Sequence, residues 1–152
     1  MQNRRQMLQR SAALAGALAG LGLLPQPAQA AWNSAAFEAK NMNDLVKALG
    51  VSAPVDSKDV SITGPDIAEN GAVVPVGCAC TLPGVRQLLI LVEKNPNMLA
   101  AVFEVSDSVE PSFNTRVKMG QSSNVMAVAI TADNKVLYAQ KEIKVTLGGC
   151  GG

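Results

Sequence analysis

The sequence contains no histidine among its 152 residues, and few of its side chains are aromatic (3%) or charged (16%). Without an imidazole the chain cannot form a Ser-His-Asp or Cys-His nucleophilic pair, a histidine-ligated zinc site or a histidine general base. The 13 basic and 12 acidic residues nearly balance, so nothing indicates a surface for nucleic acid. We therefore expect no catalytic residue, no cofactor, no resident metal and no nucleic-acid partner.

The first 30 residues have the layout of an export signal. A basic pair, Arg4-Arg5, precedes a mostly apolar stretch (11–24) and the small-residue triplet Ala28-Gln29-Ala30. This is the order of n-region, h-region and A-x-A cleavage site, and the paired arginines resemble a twin-arginine signal. The alternative, a membrane helix, requires ~20 apolar residues, which is more than this stretch offers. We expect cleavage after Ala30 and a periplasmic location reached by the twin-arginine route, with no membrane partner.

Beyond the signal, the apolar pattern has a helical period only in residues 31–50. Asn41 or Asn43 is the predicted N-cap of a second helical piece, and Gly50 is its predicted end. Turn sequences then recur at intervals of roughly 8–12 residues, as in all-β proteins. The apolar, β-branched runs between them predict strands at 60–63, 72–80, 85–93, 99–105, 112–119, 125–131 and 136–147.

Seven short strands at this spacing indicate an antiparallel β-sandwich. In the last strand Ile143 and Val145 alternate with Glu142 and Lys144, which predicts sheets that are half-buried rather than covered on both faces. We divide the chain into the signal (1–30), a helical segment (31–50), a sandwich domain (51–147) and a tail (148–152).

Two cations, Arg116 and Lys118, share one face of the predicted strand 112–119, opposite Val117 and Met119. A solvated strand face explains such a pair. The alternative is that the two cations attract an anion or the acidic rim of a partner protein.

Cys150 lies near the end of the chain between two glycine pairs, Gly148-Gly149 and Gly151-Gly152. Glycine offers no packing surface and the greatest backbone freedom, so we expect an exposed, flexible arm that fits a narrow cleft in another protein. Such an arm suits a thiol that carries a covalent cargo to enzymes elsewhere. The alternatives are an intermolecular disulfide and a disulfide with Cys78 or Cys80.

The chain resembles the SoxY family, the sulfur-carrier subunits of bacterial thiosulfate oxidation. The resemblance rests on the twin-arginine signal, on Leu91-Val92-Glu93-Lys94-Asn95-Pro96-Asn97, on Thr115-Arg116-Val117-Lys118-Met119-Gly120-Gln121 and on Val145-Thr146-Leu147-Gly148-Gly149-Cys150-Gly151-Gly152. It extends over essentially the whole chain, and Gly-Gly-Cys-Gly-Gly is its most specific part. It implies an all-β, immunoglobulin-like antiparallel sandwich with a short N-terminal helical segment and a flexible tail.

The resemblance also implies partners and a role for Cys150. A second small β-sandwich protein, SoxZ, completes a heterodimeric carrier. A c-type haem enzyme, SoxXA, joins the Cys150 thiol oxidatively to thiosulfate, and a dimanganese hydrolase, SoxB, then releases sulfate and leaves a persulfide. Where present, a sulfane dehydrogenase oxidises the outer sulfur. The chain itself is then a carrier subunit and not an enzyme.

The pair Cys78 and Cys80 departs from the usual pattern of that family. On a strand the two side chains point to the same face. We interpret them as buried or structural thiols, with a redox or protective pair and a soft-metal pair as the alternatives. A disulfide from either of them to Cys150 would switch the carrier off.

Two functions therefore compete. The first is a covalent sulfur carrier that uses Cys150. The second is a periplasmic binding or structural module, such as a soft-metal or redox module that uses Cys78 and Cys80.

Overall fold

Two β-sheets and two short helices make up residues 33–146, the part of the chain that this computed structural model describes. The helices are α1 (Ser34–Phe37) and α2 (Met42–Leu49). The strands are β1 (Val55–Asp56), β2 (Val60–Thr63), β3 (Ile67–Ala68), β4 (Val74–Cys80), β5 (Val85–Val92), β6 (Leu99–Glu104), β7 (Ser112–Val117), β8 (Ser123–Thr131) and β9 (Val136–Val145). The predicted signal, Leu147 and the tail 148–152 lie outside the described residues.

Asparagine caps and one glycine set the helix ends. The Asn33 side-chain oxygen accepts a hydrogen bond from the Ala36 amide at 3.1 Å, and that of Asn41 accepts one from the Asp44 amide at 2.9 Å. These are N-cap contacts, which satisfy amides that have no partner in the first helical turn. Gly50 ends α2 with φ 65°, a left-handed conformation that glycine adopts readily. Of the two predicted caps of the second helix, Asn41 is the one used.

The strands form a six-stranded and a three-stranded sheet. The larger sheet has the order β1-β9-β8-β5-β6, with β3 also beside β9, and the smaller has the order β2-β4-β7. The longer strands pair antiparallel, whereas the two-residue strands β1 and β3 pair parallel with β9. The predicted all-β sandwich is confirmed, and each of the seven predicted strands is present with ends within two residues. β1 and β3 were not predicted, because two residues are too few to show a period.

The core of the sandwich lies between the two sheets. Val76 of the smaller sheet and Leu88, Ile90, Ala127 and Ile143 of the larger one all belong to it. Alternate residues of each strand point into this layer, as the pleat of a β-strand requires.

A second apolar layer lies on the other face of the larger sheet, where the helices pack. It includes Ala36 and Leu45 from the helices and Leu89, Leu91 and Val128 from the sheet. β5 and β8 are consequently covered on both faces. The expectation of half-buried sheets is correct for β7 and β9 and wrong for β5 and β8, because their outer faces carry the helices. Within residues 33–146, no helix has the length and apolar composition needed to cross a bilayer.

Candidate functional site

Two hydrogen bonds to different segments anchor the end of β9, the strand that precedes the cysteine-containing tail. The Val145 amide donates a hydrogen bond to the Ser122 hydroxyl at 2.8 Å, and the Thr146 amide donates one to the Ala68 carbonyl at 3.0 Å. The chain is therefore fixed as far as Thr146. Cys150, with its neighbours Gly148, Gly149, Gly151 and Gly152, lies outside the described residues. Because Cys150 is four residues beyond Thr146, covalent geometry limits the distance between the two Cα atoms to ~14 Å.

Two of the segments that carry the resemblance meet at this end of the sandwich. The Asn95 side chain donates a hydrogen bond to the Lys118 carbonyl at 2.7 Å and accepts one from the Gly120 amide at 3.3 Å. It thereby joins the run 91–97, which begins in the last two residues of β5, to the segment 115–121, at the end of β7. These contacts explain why two segments distant in sequence belong to one structural unit.

Gly71 brings the ends of β7 and β9 together. Its carbonyl accepts a hydrogen bond from the Met119 amide at 2.7 Å. A Cβ atom at Gly71 would collide with the Met119 carbonyl oxygen and would lie 2.9 Å from a methyl group of Val145. Only glycine fits this close approach of backbones, so the base of the tail depends on it.

Arg116 and Lys118 lie near this base, on the exposed face of β7 and of the residues that follow it. Val117 and Met119 point the other way and are buried, as predicted from the alternation. The ion pairs among residues 33–146 join Lys135 to Asp133 and Lys141 to Asp66, so neither Arg116 nor Lys118 is neutralised by a described carboxylate. A role of the two cations in binding an anion or a partner stays a prediction.

Cys78 and Cys80 lie inside the sandwich, on the core face of the central strand β4. Their exposed fractions are 2% and 6%, and both pack in the cluster between the sheets. Both are free thiols in the structure. The two side chains share a face, as predicted, and the surroundings are those of small buried hydrophobic residues.

Burial also changes the acidity of both thiols. It raises the pKa of the Cys78 thiol from its ordinary value of 9.0 to about 11, although a hydrogen bond with the backbone of Phe113 opposes the shift. Burial raises the pKa of Cys80 as well, and the charge of Asp59 adds to this shift. The thiolate is the form that attacks sulfur compounds and binds metals, so both cysteines are poorly suited to either reaction. Residues 33–146 contain no group of three or more Cys, Asp or Glu placed to hold a metal ion.

A groove of about 600 Å³, which the sequence analysis did not identify, borders this end of the larger sheet. Its walls include Met42 at the start of α2, Lys94 after β5, Met98 before β6, Met126 of β8 and Tyr138 of β9. These residues come from four separate segments with no common motif: α2, the connection between β5 and β6, β8 and β9. A local pattern in the sequence could therefore not have revealed the groove.

Comparison with protein families connects this geometry to sulfur metabolism. The model of the family described as sulfur oxidation protein SoxY matches residues 45–150, a span that begins in α2 and includes Cys150. Comparison with curated proteins finds no match.

Solved structures show the same fold. The sulfur carrier protein SoxY from Chlorobium limicola f thiosulfatophilum is 30% identical, with a TM-score of 0.62 over 69% of this chain and 94% of that one. A superoxide reductase (neelaredoxin) from Ignicoccus hospitalis is 18% identical, with a TM-score of 0.51 over 57% of this chain and 79% of that one. A putative superoxide reductase from Thermotoga maritima is 15% identical, with a TM-score of 0.51 over 64% and 96%. The last two share the fold alone, whereas the family match and the Chlorobium structure together show that the chain belongs to the SoxY family of sulfur oxidation proteins.

Proposed function

We propose that the protein is a covalent sulfur carrier of periplasmic thiosulfate oxidation and that Cys150 is the attachment site. The observation that carries the proposal is the family match, which extends to Cys150. The cysteine follows a strand whose end is anchored at Val145 and Thr146, so that a short segment connects the thiol to a rigid body.

The two other cysteines are disfavoured as attachment sites by their surroundings. Cys78 and Cys80 are buried, and burial raises the pKa of both thiols. A thiosulfonate on either side chain would place a charged group within the apolar core, which is energetically costly. The same burial argues against a soft-metal or redox module built on Cys78 and Cys80.

The proposed chemistry comprises two steps, both performed by partner enzymes. In the first step the Cys150 thiol and thiosulfate form a sulfur–sulfur bond, with release of one proton and transfer of two electrons to a c-type haem enzyme of the SoxXA type. In the second step a dimanganese hydrolase of the SoxB type adds water to the terminal sulfonate. Sulfate and a proton leave, and a persulfide stays on Cys150. A sulfane dehydrogenase, where present, oxidises that persulfide.

The length of the tail constrains how these enzymes approach. Since the Cα atom of Cys150 lies within ~14 Å of that of Thr146, an enzyme that takes the thiol into a cleft must approach the end of β9. Arg116 and Lys118 are near this end, and their charges favour a partner with an acidic rim. In this proposal a SoxZ-type subunit completes the carrier, and the twin-arginine signal exports the folded chain to the periplasm.

Loading of purified protein tests the attachment site. We expect incubation with thiosulfate and a SoxXA-type enzyme to add one thiosulfonate per chain, on the C-terminal peptide alone. Cys150→Ser should abolish the adduct, whereas Cys78→Ala should load normally. An adduct on Cys78 or Cys80, or full loading of Cys150→Ser, would contradict the proposal.

A further inference from the structure

Among the strands of residues 33–146, β6 is the free edge of the six-stranded sheet, since it pairs with β5 on one side and with none of these strands on the other. One contact shows which residues of β6 form hydrogen bonds with β5 and which do not: the Val105 amide donates to the Arg86 carbonyl at 2.8 Å. In an antiparallel pair, residues that exchange hydrogen bonds alternate with residues that do not. Phe103 and Ala101 therefore bond to β5, and the amide and carbonyl groups of the residues between them face away from it.

The outward-facing backbone groups are those of Val102 and Glu104. Within residues 33–146, no hydrogen bond to another segment occupies them. Two donors and two acceptors at the spacing of a β-strand are the groups to which another extended strand binds.

β7, the edge of the smaller sheet on the same side of the sandwich, is protected against the addition of a further strand. β7 borders the smaller sheet, and Arg116 on β7 and Lys118 just beyond it are exposed. Charged side chains on an edge strand, especially cations, prevent further strands from adding to it. Residues Leu99–Phe103 of β6 carry no such protection, because they include neither a charged side chain nor a proline. The one charged side chain of this strand is Glu104, at its last position.

An aromatic pair lies between the two edges. Phe103 of β6 and Phe113 of β7 stack with ring centroids 4.6 Å apart and an interplanar angle of 2°. Both rings are only partly buried at this open side of the sandwich. A strand added to β6 would cover them, and aromatic side chains are enriched at the centres of protein interfaces.

We propose that β6 is the edge at which a strand of the partner β-sandwich subunit adds to the larger sheet. The inference rests on the proposed function, which requires such a subunit. The strand pairs with the outward groups of Val102 and Glu104 and shields the Phe103–Phe113 stack.

The charge of Glu104 favours a different chain over a second copy as the occupant. It is the only charged side chain of β6 and is exposed. Its carboxylate accepts a hydrogen bond at 2.7 Å from the side-chain amide of Gln87, which is uncharged and leaves the negative charge in place. Suppose that the β6 strands of two copies paired antiparallel, with Phe103 opposite Phe103. Each Glu104 would then lie opposite Val102 of the other copy, and the two Glu104 side chains would be diagonal neighbours on one face of the sheet, roughly 7–8 Å apart. Like charges at that distance repel, since the Debye length is about 10 Å at 0.1 M salt. The partner strand therefore carries a basic side chain opposite Glu104.

Hydrogen exchange and affinity measurements on the full chain, alone and with a SoxZ-type subunit of the same organism, test the proposal. In the complex we expect the Val102 and Glu104 amides to exchange at least ~10-fold more slowly, because each gains a ladder hydrogen bond. Val102→Pro, which removes one outward amide, and Glu104→Lys, which reverses the charge, should each raise Kd by ~10-fold or more.

Matched variants elsewhere separate an interface effect from a general one. Asn114→Pro removes an outward amide from β7 in the same manner, and Glu142→Lys reverses an exposed charge on β9 of the same sheet. Both should leave Kd within ~2-fold, since surface changes away from an interface have small effects. Should Val102→Pro fail to fold, Glu104→Lys and the exchange data decide alone.

Three results would overturn the proposal. A complex in which the Val102 and Glu104 amides exchange as fast as in the free chain would place the interface elsewhere. Protection that grows with the concentration of the chain by itself would identify a second copy as the occupant. If the SoxZ-type subunit does not bind the chain, it is not the partner that adds a strand to β6. In each case the loading of Cys150 remains a separate measurement of the carrier function.

Discussion

The three cysteines should differ sharply in reactivity. An alkylating reagent attacks the thiolate, so its rate follows the thiolate fraction as well as access. The pKa of Cys78 is raised from 9.0 to about 11, a difference that lowers its thiolate fraction at neutral pH by ~100-fold relative to an ordinary cysteine. Burial in the sandwich core slows the reaction further, because the strand β4 must open before the reagent can enter. The pKa of Cys80 is shifted in the same direction.

A time course with iodoacetamide at neutral pH, read by mass spectrometry of the three cysteine peptides, measures this difference. We expect Cys150 to react as an ordinary thiol and Cys78 to lag by at least ~100-fold in the native protein. Cys80 should also react more slowly than Cys150, because its pKa is raised and its side chain is buried. In urea the three rates should converge, and Cys150→Ser should lack the fast phase. Labelling of native Cys78 within ~10-fold of the Cys150 rate, or of native Cys80 as fast as Cys150, would refute the argument from burial.

Three further predictions concern stability and are checked by urea denaturation. Gly71→Ala should lower the free energy of unfolding by ~1–3 kcal/mol, because its Cβ meets the Met119 carbonyl, whereas Gly120→Ala, with nothing within 4 Å, should change it by less than ~0.5 kcal/mol. Equal effects of the two would contradict the close-approach argument. Asn41→Ala should lower the free energy of unfolding by ~1 kcal/mol, because the amide of Asp44 loses its cap; an unchanged value would show that this cap is dispensable. Because the pKa of Cys78 is about 11 in the fold and 9.0 ordinarily, the unfolded chain releases this proton first, so stability should fall between pH 9 and 11. Cys78→Ala should show a smaller fall, and an identical pH profile would contradict the shift.

Turn chemistry and strand alternation carried most of the fold prediction. Gly, Pro and Asn sequences marked the turns, and the runs between them became the seven longer strands. The Asn41 cap and the Gly50 end of α2 were likewise readable, because both act through local backbone contacts. The shared face of Cys78 and Cys80 followed from the two-residue period of a strand.

Features that depend on distant contacts could not be predicted in this way. The coverage of β5 and β8 on both faces results from the packing of α1 and α2, which alternation within a strand does not report. The contact of Asn95 with Lys118 and Gly120, and the groove beside Met98 and Met126, join residues from separate segments. The short strands β1 and β3 exist only because β9 lies beside them.

The most direct test of the central claim is the intact mass and peptide map of the protein isolated, without reductant, from cells grown on thiosulfate. The account predicts sulfur adducts, such as a thiosulfonate or a persulfide, on Cys150 alone, with Cys78 and Cys80 unmodified. A protein with no sulfur adduct on Cys150, or with adducts on Cys78 or Cys80 instead, would contradict it.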